Sequence, residues 1–294
     1  MTQRIPNYSS IFTTALGKSF DGWRPPAAIS KDARLRAHAI IDQRYLVTPR
    51  AWYCNEQIGF GVLPDKVGYL RVRSFEGYAD DASFDKQIDV LKTALDTIFR
   101  QTRDMKGLVI DVRLNGGGAD EFGTILAGRL TRLPYLAYSK IYRIDPKRPS
   151  RFSRPQRIMV KASRRPGFYG PVALLIGHES VSAAETFAMA LQGRYRRTVF
   201  VGENTQGVFS DVLTRILPNG WTFGVPNEIY LTEDDQAYDL VGVPPDVRIP
   251  VFARGDIERG RDPALETGVQ ALTDDGLNTD RKKAASATTA GASR

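Results

Sequence analysis

A serine at the point where an apolar run gives way to a helix-forming run is placed to act as a nucleophile. In this chain the stretch is Gly177-His178-Glu179-Ser180-Val181-Ser182-Ala183-Ala184-Glu185. Residues 172–176 read as a buried strand, Gly177 stops it, and residues 183–191 read as a helix. A hydroxyl at Ser182 then stands at a helix start, where unbonded backbone N–H groups face whatever it attacks. Asn115-Gly116-Gly117-Gly118 occupies a second such junction, after the apolar run 108–112 and before a helix carrying Phe122, Ile125, Leu126 and Leu130. Bare glycine backbone there can offer N–H groups to a phosphate or a developing oxyanion. Each signal also has a purely structural explanation. The glycines suit a tight strand-to-helix turn and match neither the dinucleotide fingerprint nor the P-loop. Ser180 and Ser182 suit helix N-caps, and Ser182 with Glu185 three residues on fits a capping box.

The elements that must position these residues follow from periodicity and turn chemistry. Residues 58–63 and 67–72 read as a hairpin closed by Pro64-Asp65-Lys66. Phe84, Ile88, Leu91, Leu95, Ile98 and Phe99 recur at three- and four-residue steps and predict a helix with one buried face, capped by Asp80 or Asp81. The run 108–112 has the unbroken apolarity of a strand covered on both faces. Residues 135–142 and 198–202 are two more strands. Residues 144–170, rich in Arg, Pro and Ser, read as a surface excursion. Pro218-Asn219-Gly220 joins a second hairpin over 213–217 and 221–225. Short helices are expected over 31–41 and 265–272. Alternating strands and helices make the fold class α/β.

Bulk properties narrow the function classes. The 294 residues can bury a sizeable core, and 42% hydrophobic with 25% charged residues is ordinary for a globular chain. The net charge of +8 and the pI near 9.6 come from scattered Lys and Arg with no basic run interleaved with aromatics, which argues for a solvated basic surface and no nucleic-acid partner. A single cysteine, Cys54, excludes an intramolecular disulfide and a Cys-based metal cluster. With only His38 and His178 as histidines, a His-rich zinc site is disfavoured, and no metal or other cofactor is expected. No stretch has the length and apolarity of a membrane span, and the N-terminus lacks the apolar core of a secretory signal. The expected location is cytoplasmic as the chain is written, and periplasmic or secreted if its start is truncated.

The order and spacing of Gly107-Leu-Val-Ile-Asp-Val-Arg-Leu-Asn-Gly-Gly-Gly118, Ser182-Ala-Ala-Glu185, Val201-Gly-Glu-Asn-Thr-Gln-Gly207, Leu217-Pro-Asn-Gly220 and Gly242-Val-Pro-Pro-Asp246 resemble the tail-specific, or C-terminal-processing, serine peptidase family S41. The resemblance spans residues 68–272. It implies a core of stacked β-β-α units like those of ClpP and the crotonases, and cleavage of peptide bonds near the ends of extended peptide or unfolded-protein substrates. On this basis the chain divides into an irregular N-terminal segment (1–56), a protease core domain (57–275) and a disordered tail (276–294). A PDZ module, frequent in the processing branch, has no room here.

Carried over by position, Ser182 matches the family's nucleophile, and the N–H groups of Ala183 and of Gly116 or Gly117 match its oxyanion hole. The processing branch has a lysine base directly after the Thr-x-Gly that follows the nucleophile helix. Here Thr205-Gln206-Gly207 is followed by Val208, which cannot take a proton. The tricorn-like branch uses a histidine oriented by an acid shortly before the Gly-Val-x-Pro-Asp loop, and Asp239 matches that acid one methylene short. His38 is the only upstream histidine, in Leu35-Arg-Ala-His-Ala-Ile40, and is either that base or a packing residue. His178 borders the site as a substrate contact or a turn residue. Two other readings compete. One is a peptide-binding relative that has lost its base. The other is a crotonase-like acyl-CoA enzyme, against which the Ser182-to-Glu185 and Gly242-to-Asp246 segments argue.

Overall fold

The computed structural model describes residues 29–145, 147–148, 150–195 and 198–273. The tail expected over 276–294 lies outside the described residues, as does all of 1–28. Helix α1 (Lys31–Ile40) runs into a π-helical turn, Ile41–Tyr45, and is followed by β1 (Ala51–Tyr53). The irregular segment expected over 1–56 is therefore ordered structure in its described part, because β1 pairs antiparallel with the next strand, Ala51 opposite Phe60. The expected hairpin forms from β2 (Ile58–Leu63) and β3 (Val67–Val72), with Asp65 at φ 59° in the turn.

Helix α2 (Phe84–Gln101) buries Ile88, Leu91, Leu95, Ile98 and Phe99, as its periodicity requires. Its cap is Ser83, whose hydroxyl accepts the Lys86 N–H at 3.3 Å, rather than Asp80 or Asp81. Phe84, at the helix start, is 43% exposed and stacks on Phe122. Next come β4 (Gly107–Asp111), α3 (Asp120–Gly128), β5 (Tyr135–Tyr142) and β6 (Gln156–Val160). The stretch read as a surface excursion thus contains a strand. β6 is stabilised by antiparallel pairing with β5, a contact that composition does not reveal. The chain continues through β7 (Val172–Ile176), α4 (Ala183–Gln192), β8 (Thr198–Gly202), the hairpin β9 (Val212–Ile216) and β10 (Thr222–Pro226), β11 (Glu228–Leu231), β12 (Val247–Arg248), α5 (Arg254–Glu258) and α6 (Pro263–Thr273).

The main sheet has the order β1-β2-β3-β4-β7-β8-β12, antiparallel through β3 and parallel from β3 onward. Alternation along the strands sends Leu70, Val72, Leu108, Ile110, Leu174 and Ile176 to one face, under α2, α3 and α4. Tyr69, Val109, Ala173 and Leu175 go to the other, against Ile41 and the α6 residues Ala264, Leu265 and Leu272. Each large apolar side chain so buried contributes roughly 1.5–3 kcal/mol. A second sheet, β11-β5-β6, flanks the first. Among the described residues no helix is long and apolar enough to cross a membrane.

Candidate active site

Three adjacent parallel strands, β4, β7 and β8, each release a loop at the carboxyl end, the edge at which open α/β sheets place their sites. These are the glycine loop 112–119, the serine turn 177–182 and the Thr-Gln-Gly loop 203–208. Adjacency in the sheet converts segments far apart in the chain, such as 112–119 and 203–208, into neighbours.

The glycine loop is anchored from beneath. Arg113, fully buried, is gripped by Asp111 (2.7 Å) and by Asp262 (2.7 Å) ahead of α6. The Arg113 guanidinium and the Tyr69 hydroxyl (2.6 Å) hold the Asp111 carboxyl well below the usual carboxylate range, despite its burial. Asn115 then turns the chain. Its Nδ2 donates to the Val72 carbonyl (3.1 Å), its carbonyl accepts from Val181 N–H (3.0 Å), and its Oδ1 accepts the Gly117 N–H (2.9 Å). Of the two glycines considered as oxyanion donors, Gly117 thus has its N–H engaged. The N–H groups of Gly116 and Ala183 have no partner among the described residues. Gly117 serves by shape: at φ +101° a Cβ on it would meet Ser182 Cβ at 2.8 Å and the Val181 carbonyl at 2.9 Å. No other residue type lets the loop approach the serine this closely.

Ser182 itself adopts φ 55°, ψ −117°. A helix N-cap ordinarily sits in the β region, so capping alone does not account for this conformation, which costs on the order of 1–3 kcal/mol. One half of the capping box is nevertheless present, Ser182 N–H donating to Glu185 Oε2 at 3.0 Å, while Glu185 N–H donates to the Ser182 carbonyl at 2.8 Å. Ser180, the other serine of the turn, is fully buried and donates its hydroxyl to the Val112 carbonyl at 2.8 Å, which leaves it a structural strut. Thr186, one turn along α4, donates to Asp120 at the start of α3 (2.8 Å), locking the two helix starts together.

Glu185 is the residue whose importance the capping-box reading did not disclose. Its buried carboxyl accepts from Thr205 Oγ1 (2.7 Å), Gly207 N–H (2.6 Å), Val208 N–H (2.9 Å) and Ser182 N–H. Burial pushes it up to about 7, against the pull of those four donors. Through Glu185 the serine turn is tied to loop 203–208. That loop is in turn tied to the one carrying Asp239: Thr205 Oγ1 accepts from Val243 N–H (2.7 Å), and Leu240 N–H donates to the Gly207 carbonyl (2.7 Å). The Thr-x-Gly segment was the available signal, since a buried carboxylate needs a donor cluster of this kind.

On the far side of this corner the groups are unsatisfied. Asp239 Oδ2 is buried without a hydrogen-bond partner, and burial raises the group to about 6. Val208, its aliphatic side chain 42% exposed, offers this corner only its backbone N–H. His38, the candidate base, has no hydrogen bond to Ser182. Its Nε2 pairs with Arg71 on β3, in a crevice lined by Arg73, Leu114 and Phe252. Burial, and next the Arg71 charge, lower His38 to about 3, so it is a poor proton acceptor. His178 faces Glu203 at 3.7 Å, with its Nε2 buried and unpartnered. No histidine or lysine is hydrogen-bonded to the Ser182 hydroxyl among the described residues. They also hold no group of histidine, cysteine and carboxylate side chains arranged for a metal ion.

Residues 66–249 match the sequence pattern of Peptidase family S41. A structure from Parabacteroides merdae assigned to the peptidases superposes with a TM-score of 0.67 at 23% identity, over 84% of this chain and 70% of that one. Mature CPAF superposes at 0.63 and 16% identity, over 86% of this chain and 61% of its own. The tricorn protease does so at 0.50 and 20% identity, over 72% of this chain and 18% of its own. At these identities the likeness establishes a shared mixed α/β fold with a mainly parallel sheet.

Proposed function

The chain belongs to peptidase family S41, and from that premise we propose that it is a serine-type peptidase in which Ser182 attacks the carbonyl carbon of a peptide bond. The observation that carries this reading is the strained Ser182 backbone held against the side-chain-free face of Gly117. The attack forms a C–O bond as the Ser182 hydroxyl proton passes to a solvent water, moves the carbonyl electron pair to oxygen, and directs that oxyanion to the free N–H groups of Gly116 and Ala183. Collapse of the adduct breaks the C–N bond as a water returns a proton to the leaving amine, and leaves an acyl-serine for water to hydrolyse. The core, residues 57–275, is read as the stacked β-β-α arrangement of ClpP and crotonases, and the substrates as extended peptides. Val208 in the lysine position and Asp239 in the place of a histidine-orienting acid favour the tricorn-like branch. A fluorophosphonate probe should label the wild type and not Ser182→Ala. Equal labelling of both removes Ser182 from the nucleophile's role.

A second reading, a peptide-binding relative with impaired catalysis, is favoured by the unfilled base position. His38 is engaged by Arg71 and Asp239 Oδ2 has no partner. Turnover of an unstructured peptide library by the wild type, lost in Ser182→Ala, decides against it.

A further inference from the structure

At the edge of the main sheet opposite to Ser182 lies a hollow of about 440 Å³. Arg100 and Arg103 line it at the end of α2, Arg132 after α3, and Tyr169 ahead of β7. β4 and β7 start beside it, at Gly107 and Val172, whereas the glycine and serine loops leave the far ends of the same strands. Strands of five residues separate the two edges by roughly 16 Å. Among the described residues no carboxylate lines the hollow, and Arg100, Arg103 and Arg132 have no hydrogen bond or ion pair. The helical neighbour that would pair with Arg100, Asp96 four residues back, is taken by Arg129 (2.6 Å) and Arg165 (2.9 Å). Asp104, next to Arg103 in the chain, is exposed and does not line the hollow. The Arg132 guanidinium lies over the Tyr169 ring, 4.4 Å from its centre, which orients it without neutralising it.

Carbonyl acceptors in the wall are already engaged. The Phe99 carbonyl accepts the Thr102 hydroxyl (3.0 Å) and the Thr102 carbonyl accepts the Met105 N–H (3.1 Å). The Pro166 carbonyl accepts from Arg129 (2.8 Å) and the Gly170 carbonyl from Arg194 (2.7 Å). A helix C-terminus favours basic residues, which accounts for Arg100 and Arg103 taken singly. It does not account for Arg132, which comes from another segment and converges on the same space. Three like charges around one concavity repel one another, and the complement is a ligand that accepts hydrogen bonds and carries several negative charges. We propose that Arg100, Arg103 and Arg132 form a binding site for a small polyvalent oxyanion, a polyphosphate or a polycarboxylate. Guanidinium forks match the oxygens of either group, and the volume is that of a small-molecule site. The site goes beyond the peptidase reading, requires nothing of Ser182 and stands whether or not the chain is a peptidase.

The test is isothermal titration of the full-length protein with tripolyphosphate and with citrate, at constant ionic strength. Because the chain carries +8 net charge, general anion attraction needs its own control. Arg215→Ala, at an exposed arginine on β9 outside the hollow, removes the same charge as Arg103→Ala. The expected result is saturable binding of at least one probe that Arg103→Ala and Arg132→Ala each weaken by about tenfold. Arg215→Ala should leave it unchanged. All three arginines of the hollow are exposed, so these variants should keep the wild-type midpoint in urea unfolding. Binding of tripolyphosphate with citrate silent identifies phosphate as the recognised group, and the reverse identifies carboxylates. Failure of both probes to bind overturns the site. So does binding that survives Arg103→Ala and Arg132→Ala, or that Arg215→Ala weakens equally.

Discussion

Glu185, fully buried, and Asp239, half-buried with its Oδ2 enclosed, are two carboxyls on linked loops in opposite circumstances. Glu185 receives four hydrogen bonds from two segments of chain, whereas Asp239 has an oxygen with none. Burial raises both, to about 7 and about 6. The contrast separates the two halves of the site. The half around Ser182 is hydrogen-bonded throughout by Glu185. The half around Asp239 has a carboxyl oxygen that no group among the described residues satisfies.

The comparison breaks most directly at Glu185. Glu185→Gln keeps the shape but turns an NH₂ toward backbone N–H donors, and should cost about 3 kcal/mol in urea unfolding while abolishing fluorophosphonate labelling. A loss below about 1 kcal/mol would mean that the four bonds do not hold the corner together.

Next in size is the pH dependence. Glu185 titrates near 7 folded against 4.5 unfolded, so between those values the folded chain binds the extra proton. Its contribution is greatest below pH 4.5 and falls as pH rises to about 7, by about 3 kcal/mol at 1.36 kcal/mol per unit. Asp239 acts with the same sign between 3.8 and about 6. Asp239→Asn should therefore stabilise the protein at pH 7 by about 2 kcal/mol and flatten the lower part of the profile. If Asp239 orients a base, the same substitution lowers turnover, a trade-off that a packing residue would not show.

Ser182→Gly relieves the backbone strain and should raise stability by about 1 kcal/mol while eliminating probe labelling. The smallest stability effect is expected from Val208→Lys, within about 0.5 kcal/mol, because Val208 uses its backbone N–H and is 42% exposed. In a peptide-hydrolysis assay, that variant should gain a turnover that Ser182→Ala abolishes, which would show that the missing base is what separates the two halves.

Much of this architecture was legible beforehand, and the reasons differ by element. The hairpin of β2 and β3 is a local matter of alternation and a Pro-Asp-Lys turn. Helix α2 announces itself by period, although its cap is Ser83, because an aspartate and a serine a few residues apart are equally good local candidates. β6 was not legible, since an Arg- and Pro-rich stretch becomes a strand only when β5 lies beside it. His38 was read correctly as helical, yet its neighbour is Arg71, 33 residues away, and that pairing carries no sequence signature.

The sequence by itself determined that Ser182 stands at a strand-to-helix junction, that a glycine run stands at another, and that a valine follows Thr205-Gln206-Gly207. Those are properties of neighbours within a few residues, where turn chemistry and side-chain period act. Only the tertiary structure decided that Gly117 has its N–H engaged while Gly116 has not, that Glu185 organises the corner, and that His38 belongs to an arginine cluster. Each of those depends on partners brought together by the parallel order of β4, β7 and β8, or by the docking of α1 on β3. Hydrogen-bond satisfaction across such distances is a property of the packed fold.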